Sequence, residues 1–223
     1  MSARVEEKHR APIRWMHWIN FPLLAMMMWS GLLIYWANAV FSLRIFGREI
    51  FYFFPQGFYG SLGIPYRLAE GMQLHFFFMW LFAANGVAYA CYLILSGEYR
   101  SLLPTFGSFK RAFRVALYEL HISKQKPPQG KYNDAQRIVY TLVIVMGAAS
   151  ILTGIAIYKP LQASLFTSLL GGYEWARWEH FWLMIMFAAF FVVHVVQVVL
   201  AGWRNFQSMI TGVEVIKTEA SGE

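Results

Sequence analysis

The chain has 223 residues, of which 58% are hydrophobic, 18% aromatic and only 14% charged, with a formal net charge of +7. Ordinary soluble domains carry about 25% charged residues, so this composition excludes a water-soluble globular enzyme. The placement of the positive charge along the chain also argues against a nucleic-acid partner.

A bilayer core about 30 Å thick needs roughly 20 mostly apolar residues of helix to cross it, and four windows qualify: 15–36, 71–95, 138–158 and 181–203. Before the first lie Arg4, Lys8, Arg10 and Arg14. Ala37-Asn38-Ala39 after it has the small-residue look of a cleavage site. The apolar run is longer than the roughly 7–15 residues of a secretory core, so it reads as a retained span. The connection 37–70 is rich in aromatics and turn formers (IFYFFPQGFYGSLGIPY). It reads as an interfacial aromatic belt or as a surface under a docked partner.

After the second span, Phe106, Phe109, Phe113, Leu117 and Leu120 recur at spacings of three and four, with Lys110, Arg111 and Arg114 between them. This pattern predicts a short amphipathic helix in the plane of the interface. The polar stretch SKQKPPQGKYND then leads into the third span.

Arg100, Lys110, Arg111, Arg114, Lys124, Lys126, Lys131 and Arg137 lie between spans two and three, and Arg204 and Lys217 follow span four. With the N-terminal group they put 14 of the 19 basic residues on one side, against Arg44, Arg48, Arg67, Lys159 and Arg177 on the other. By the positive-inside rule both termini and the middle connection face the cytoplasm. The expected fold is therefore an all-α membrane protein: one domain over 1–223, a four-transmembrane-helix bundle with both termini cytoplasmic, plus the interfacial amphipathic helix.

Four of the six histidines, His17, His75, His180 and His194, lie within or at the edge of spans. Ionisable groups are costly there and mark function by default. His9 and His121 fall in the cytoplasmic segments and read as solvated residues. His180 and His194 are 14 residues apart, which on one helix is roughly 21 Å in depth and about 40° short of four full turns. One helix thus offers two imidazoles on nearly one face at two depths. Span direction puts His75 at the depth of His180 on the outer side, and His17 at that of His194 on the cytoplasmic side.

Two stacked imidazole pairs suit two haem irons, each with two axial nitrogens and no open position for a substrate. Cys91 is alone, so there is no CxxCH motif for covalent attachment, and the haems are expected to be b-type. Gly31, 14 residues after His17, lies at the outer depth and leaves space for a flat ring; Gly86, Gly147 and Gly154 leave similar space or serve helix packing. A dinuclear metal site is disfavoured, because the two pairs are about 21 Å apart in depth with no carboxylate between them.

IRWMHWIN around His17, LHFFFMW around His75 and the His180–His194 spacing resemble the bacterial cytochrome b561 and nickel–iron hydrogenase cytochrome b family, which is itself similar to the gamma subunit of membrane formate dehydrogenase. The resemblance covers nearly the whole chain. It implies an inner-membrane subunit passing electrons between a periplasmic oxidoreductase and the quinone pool. It also implies that His17 and His194 ligate the cytoplasmic-side haem iron, and His75 and His180 the periplasmic-side one. The hydrogenase subunits carry an acidic pair after the last span where this chain has GWRNFQSMITG. KYNDAQR, KPLQ, GGYEWARWEHF and SMITG look closer to the branch associated with molybdopterin oxidoreductases of the sulfite-oxidase type.

Arg14, Trp18, Trp203, Arg204 and Asn205 share the depth of the inner pair and are candidate propionate or quinone contacts, or else topology charges and interface anchors. No residue stands out as catalytic in its own right. Two other readings remain open at this point: a self-sufficient superoxide:quinone oxidoreductase, and a haem-free membrane anchor or transporter.

Overall fold

The computed structural model describes residues 2–37, 41–119, 122–125 and 132–218. Asn38 and Ala39 of the cleavage-like triplet, Leu120, His121, Lys126 and Lys131 lie outside the described residues. In chain order the elements are β1 (Ser2–Glu7), α1 (Ala11–Trp36), β2 (Ser42–Ile45), β3 (Arg48–Tyr52), α2 (Gln56–Ser61), α3 (Leu68–Ser96), α4 (Tyr99–Leu102), α5 (Ser108–Glu119), α6 (Asp134–Tyr158), α7 (Ser164–Leu169), α8 (Tyr173–Ala201), α9 (Trp203–Thr211) and β4 (Val213–Thr218).

Helices α1, α3, α6 and α8 are 26, 29, 25 and 29 residues long and apolar enough to cross a membrane. At 1.5 Å per residue even the shortest extends about 37 Å, beyond the hydrocarbon thickness of about 30 Å. The chain is a multi-pass membrane protein with the four expected spans. Four strands in two small sheets add to the all-helical expectation. The fourth span also differs at its end. Gly202 adopts φ +83°, which breaks the helix after Ala201, so Trp203 opens the separate helix α9 instead of closing the span.

The chain divides into two compact units, Met1–Asn85 with Ala188–Glu223, and Gly86–Phe187. In the first, β1 and β4 pair antiparallel from Ser2↔Thr218 to Glu7↔Val213. Both chain ends therefore lie together, as an even number of spans requires. The aromatic connection folds back on the end of α1. β2 and β3 form a hairpin whose turn residues Phe46 and Gly47 both have positive φ, +50° and +76°, the conformation that matches the twist of a two-residue hairpin turn. The Tyr35 hydroxyl donates to the Phe53 carbonyl (3.0 Å) and accepts from the Phe41 amide (2.6 Å). Tyr59, 1% exposed, stacks on Trp36 at 4.6 Å and donates to the Leu32 carbonyl. Burial, with Tyr35 nearby, pushes the Tyr59 phenol up to about 12, so it remains a donor at neutral pH.

In the second unit, α5 turns Phe109 and Phe113 outward, preceded by the fully exposed Phe106, and buries Ser108 and Val115. This is the arrangement of a helix lying on an apolar boundary. Its other face is tied to the start of α6: Arg111 grips Asp134 through Nε (2.7 Å) and Nη2 (2.9 Å), and the Ser108 hydroxyl donates to the same carboxylate at 2.6 Å. The N-terminus of α6 is closed by a capping box, with Asn133 Oδ1 accepting from the Gln136 amide and Gln136 Oε1 accepting from the Asn133 amide. Asn133→Ala is expected to lower stability by about 1 kcal/mol, read as a shift in the denaturation midpoint with little change to any cofactor spectrum.

Candidate functional site

One end of the first unit brings His17 of α1 to His194 of α8, with ring centroids 6.0 Å apart and planes at 60°. Allowing roughly 1 Å from each centroid to its ring edge leaves about 4 Å, the length of two metal–imidazole bonds of about 2 Å each. The separation is compatible with one metal atom bonded to both imidazoles. Phe190, one turn before His194, stacks on its ring at 5.5 Å and 22°. His17 Nδ1 is buried without a hydrogen-bond partner. A buried polar atom in that state is rare and calls for a ligand or a function.

Arg14 Nε, one turn earlier on the same face of α1, is likewise buried and unpartnered. An imidazole and a guanidinium edge with unused capacity, side by side at one end of a span, fit a haem iron and a haem carboxylate respectively. Among the described residues no group of three or more His, Cys, Asp or Glu side chains comes together as a bare metal ion would require.

The other cytoplasmic-side candidates divide. Arg14 Nη1 donates to the Ile210 carbonyl, and Trp18 Nε1 to the Met209 carbonyl at 3.1 Å. Both satisfy carbonyls in the last turn of α9, which lack partners within the helix. Asn205 Oδ1 accepts from Lys8 Nζ at 3.0 Å, and Trp203 packs on Phe206, 5.3 Å away. Trp203 and Arg204 are exposed. Arg14 and Trp18 thus strap α9 to α1, and Asn205 ties it to the N-terminal segment. Gly212 closes that helix at φ +88°, and a Cβ there would lie 2.8 Å from Arg14 Cζ, so only glycine fits.

Near the outer end of α1, His75 of α3 lies against Gly31, whose added Cβ would meet His75 Cε1 at 3.6 Å. The ring's Nδ1 is 2.9 Å from the Ser30 hydroxyl. The second unit repeats this arrangement: His180 of α8 lies against Gly154 of α6, 3.4 Å from the corresponding Cβ position, and its Nδ1 is 2.8 Å from the Thr153 hydroxyl. Ser30 and Thr153 are 0% and 2% exposed. Neither stands out in the sequence, because small hydroxyl residues are ordinary components of membrane helices. Asn85 of α3 also passes unnoticed there; its side chain donates to the Met16 carbonyl at 3.1 Å and tethers the helix beside His17.

The prokaryotic cytochrome b561 family matches residues 8–212. A curated relative from Azospira oryzae (strain ATCC BAA-33 / DSM 13638 / PS), named "Putative protein-methionine-sulfoxide reductase subunit YedZ1", is 30% identical over 213 residues, covering 95% of this chain and 100% of the relative. With a paired-imidazole site in a four-span membrane chain and a family match over almost its full length, the chain belongs to the prokaryotic cytochrome b561 family and is a membrane haem-b electron-transfer subunit.

Proposed function

We propose that this subunit holds two haem b groups and passes electrons between a periplasmic oxidoreductase partner and the membrane quinone pool. His17 and His194 hold the cytoplasmic-side iron and His75 and His180 the periplasmic-side one. The observation that carries the reading is the His17–His194 pair, 6.0 Å apart with a buried unpartnered nitrogen. Haem b, when bound between two imidazoles, supplies a one-electron centre with no open coordination position.

The chain's own residues hold and orient. Phe190 fixes the plane of His194, Arg14 holds an unpartnered Nε that a haem carboxylate would take up, and Gly31 lies against the edge of His75. The name of the Azospira oryzae relative supports a partner that reduces methionine sulfoxide. That reaction takes up two electrons and two protons and releases water, a demand that one quinol meets. The segments GGYEWARWEHF and SMITG support a partner of the sulfite-oxidase type.

The test is purification in mild detergent with haem supplied during expression. Expected are two haems per chain, a b-type reduced spectrum and a co-purifying periplasmic reductase. A quinol should reduce the chain, and methionine sulfoxide should reoxidise it only when the partner is present. A haem-replete preparation with one haem or none would sink the proposal. Rapid superoxide-driven quinone reduction by the chain alone would replace it with the self-sufficient alternative.

A further inference from the structure

The two outer imidazoles share a local environment that the inner pair lacks. His75 meets the Ser30-Gly31 step of α1, and His180 meets the Thr153-Gly154 step of α6. In each case the ring edge lies on the glycine while Nδ1 meets the hydroxyl one residue earlier.

The hydroxyl protons are already committed. Ser30 Oγ donates to the Met26 carbonyl at 2.6 Å, and Thr153 Oγ1 to the Ala149 carbonyl at 2.8 Å. Each hydroxyl has one proton, so towards the ring it can only accept. The proton in that hydrogen bond therefore comes from Nδ1. An imidazole that ligates a metal is neutral and carries a single ring proton, and with that proton on Nδ1 the lone pair sits on Nε2.

We propose that Ser30 and Thr153 are positioning residues that set the tautomer and plane of His75 and His180, so that each presents Nε2 to the haem iron it ligates. This deepens the ligand reading above and rests on it. A donated Nδ1–H bond raises the basicity of a ligating imidazole. A more basic ligand favours the oxidised iron and lowers its potential. The arrangement thus biases an iron held by either ring towards lower potential. Each ring edge lies at van der Waals distance from the Cβ position of the neighbouring glycine, 3.6 Å at Gly31 and 3.4 Å at Gly154.

The test uses the full-length, haem-loaded chain and reads redox titrations and the low-spin electron paramagnetic resonance signals of both haems. Ser30→Ala and Thr153→Val should each raise the midpoint potential of one haem and shift its g-values, leaving the other haem unchanged. Ser30→Thr and Thr153→Ser, which keep the hydroxyl, should restore parental values. Unchanged potentials and g-values in the hydroxyl-free variants would overturn the proposal, as would equal shifts in the hydroxyl-keeping ones. His75→Ala separates this from the underlying reading: loss of one haem upholds His75 as a ligand whatever Ser30→Ala does. Retention of two low-spin haems in His75→Ala would overturn the ligand assignment itself.

Discussion

The His194→Ala chain is expected to purify with half the parental haem content and without quinol-dependent reduction, while the remaining haem keeps its low-spin spectrum. The expectation follows from the geometry around this ring. His194 faces His17 at 6.0 Å and is held in plane by Phe190. Alanine leaves His17 as a lone ligand beside a void, and a non-covalent haem with one axial bond is readily lost. His17→Ala should have the same effect, because in the proposed pairing the two imidazoles serve one iron. His9→Ala, which alters a residue of the N-terminal segment ahead of α1, should keep both haems. Haem extraction and the reduced-minus-oxidised spectrum decide the matter, and two intact low-spin haems in His194→Ala would refute the pairing.

The largest effect on stability is expected from Gly71→Val, at the crossing of α3 with α1. A Cβ at Gly71 would lie 2.7 Å from Leu33 Cβ, 3.2 Å from the Ser30 carbonyl and 3.3 Å from the Ile34 amide. Two of these neighbours are backbone, and Leu33 is 1% exposed, so nothing nearby can move aside. Overpacking of this kind costs about 1–3 kcal/mol, and more where the backbone must shift. The strain falls on Ser30, whose hydroxyl meets His75. The variant should therefore unfold several degrees earlier and retain less haem. Gly60→Ala, with nothing within 4 Å of its Cβ position, is the control and should match the parent. A Gly71→Val chain with the parental melting curve would show that the two helices do not pack through this glycine.

Much of the architecture is legible in the sequence because the bilayer imposes a length and a composition that a linear scan detects. Four windows of about 20 apolar residues reappear as α1, α3, α6 and α8, and the Phe and basic residues between 108 and 119 reappear on α5 with Phe109 and Phe113 outward. The four imidazoles also stand out, since a titratable group among lipid-facing residues needs a cause. The end of span four is less legible. Trp203 continues the apolar run that ends at Ala201, and the break depends on Gly202 taking φ +83°, a backbone choice that hydropathy does not encode.

The roles of the other candidates are of a third kind. Arg14 and Trp18 look like interfacial anchors or cofactor contacts in the sequence, yet their donors go to carbonyls of Ile210 and Met209, almost 200 residues away. Arg14 still keeps Nε in reserve. The pairing of β1 with β4 is similarly invisible locally, because SARVEE and VEVIKT form a sheet only when an even number of spans returns the chain to the same side.

What the sequence determined by itself is whatever depends on period and composition: the number of spans, and the placing of His180 and His194 on one face of one helix at two depths. These follow from the repeat of a single helix and from the free energy of transferring side chains into lipid, and both are properties of local sequence. Only the tertiary structure decided which side chain of a neighbouring helix meets each ring. Ser30 and Thr153 reach His75 and His180 because α1 approaches α3, and α6 approaches α8, at a glycine. A hydroxyl accepts from a particular nitrogen only within hydrogen-bond distance, and that distance is set by how helices cross.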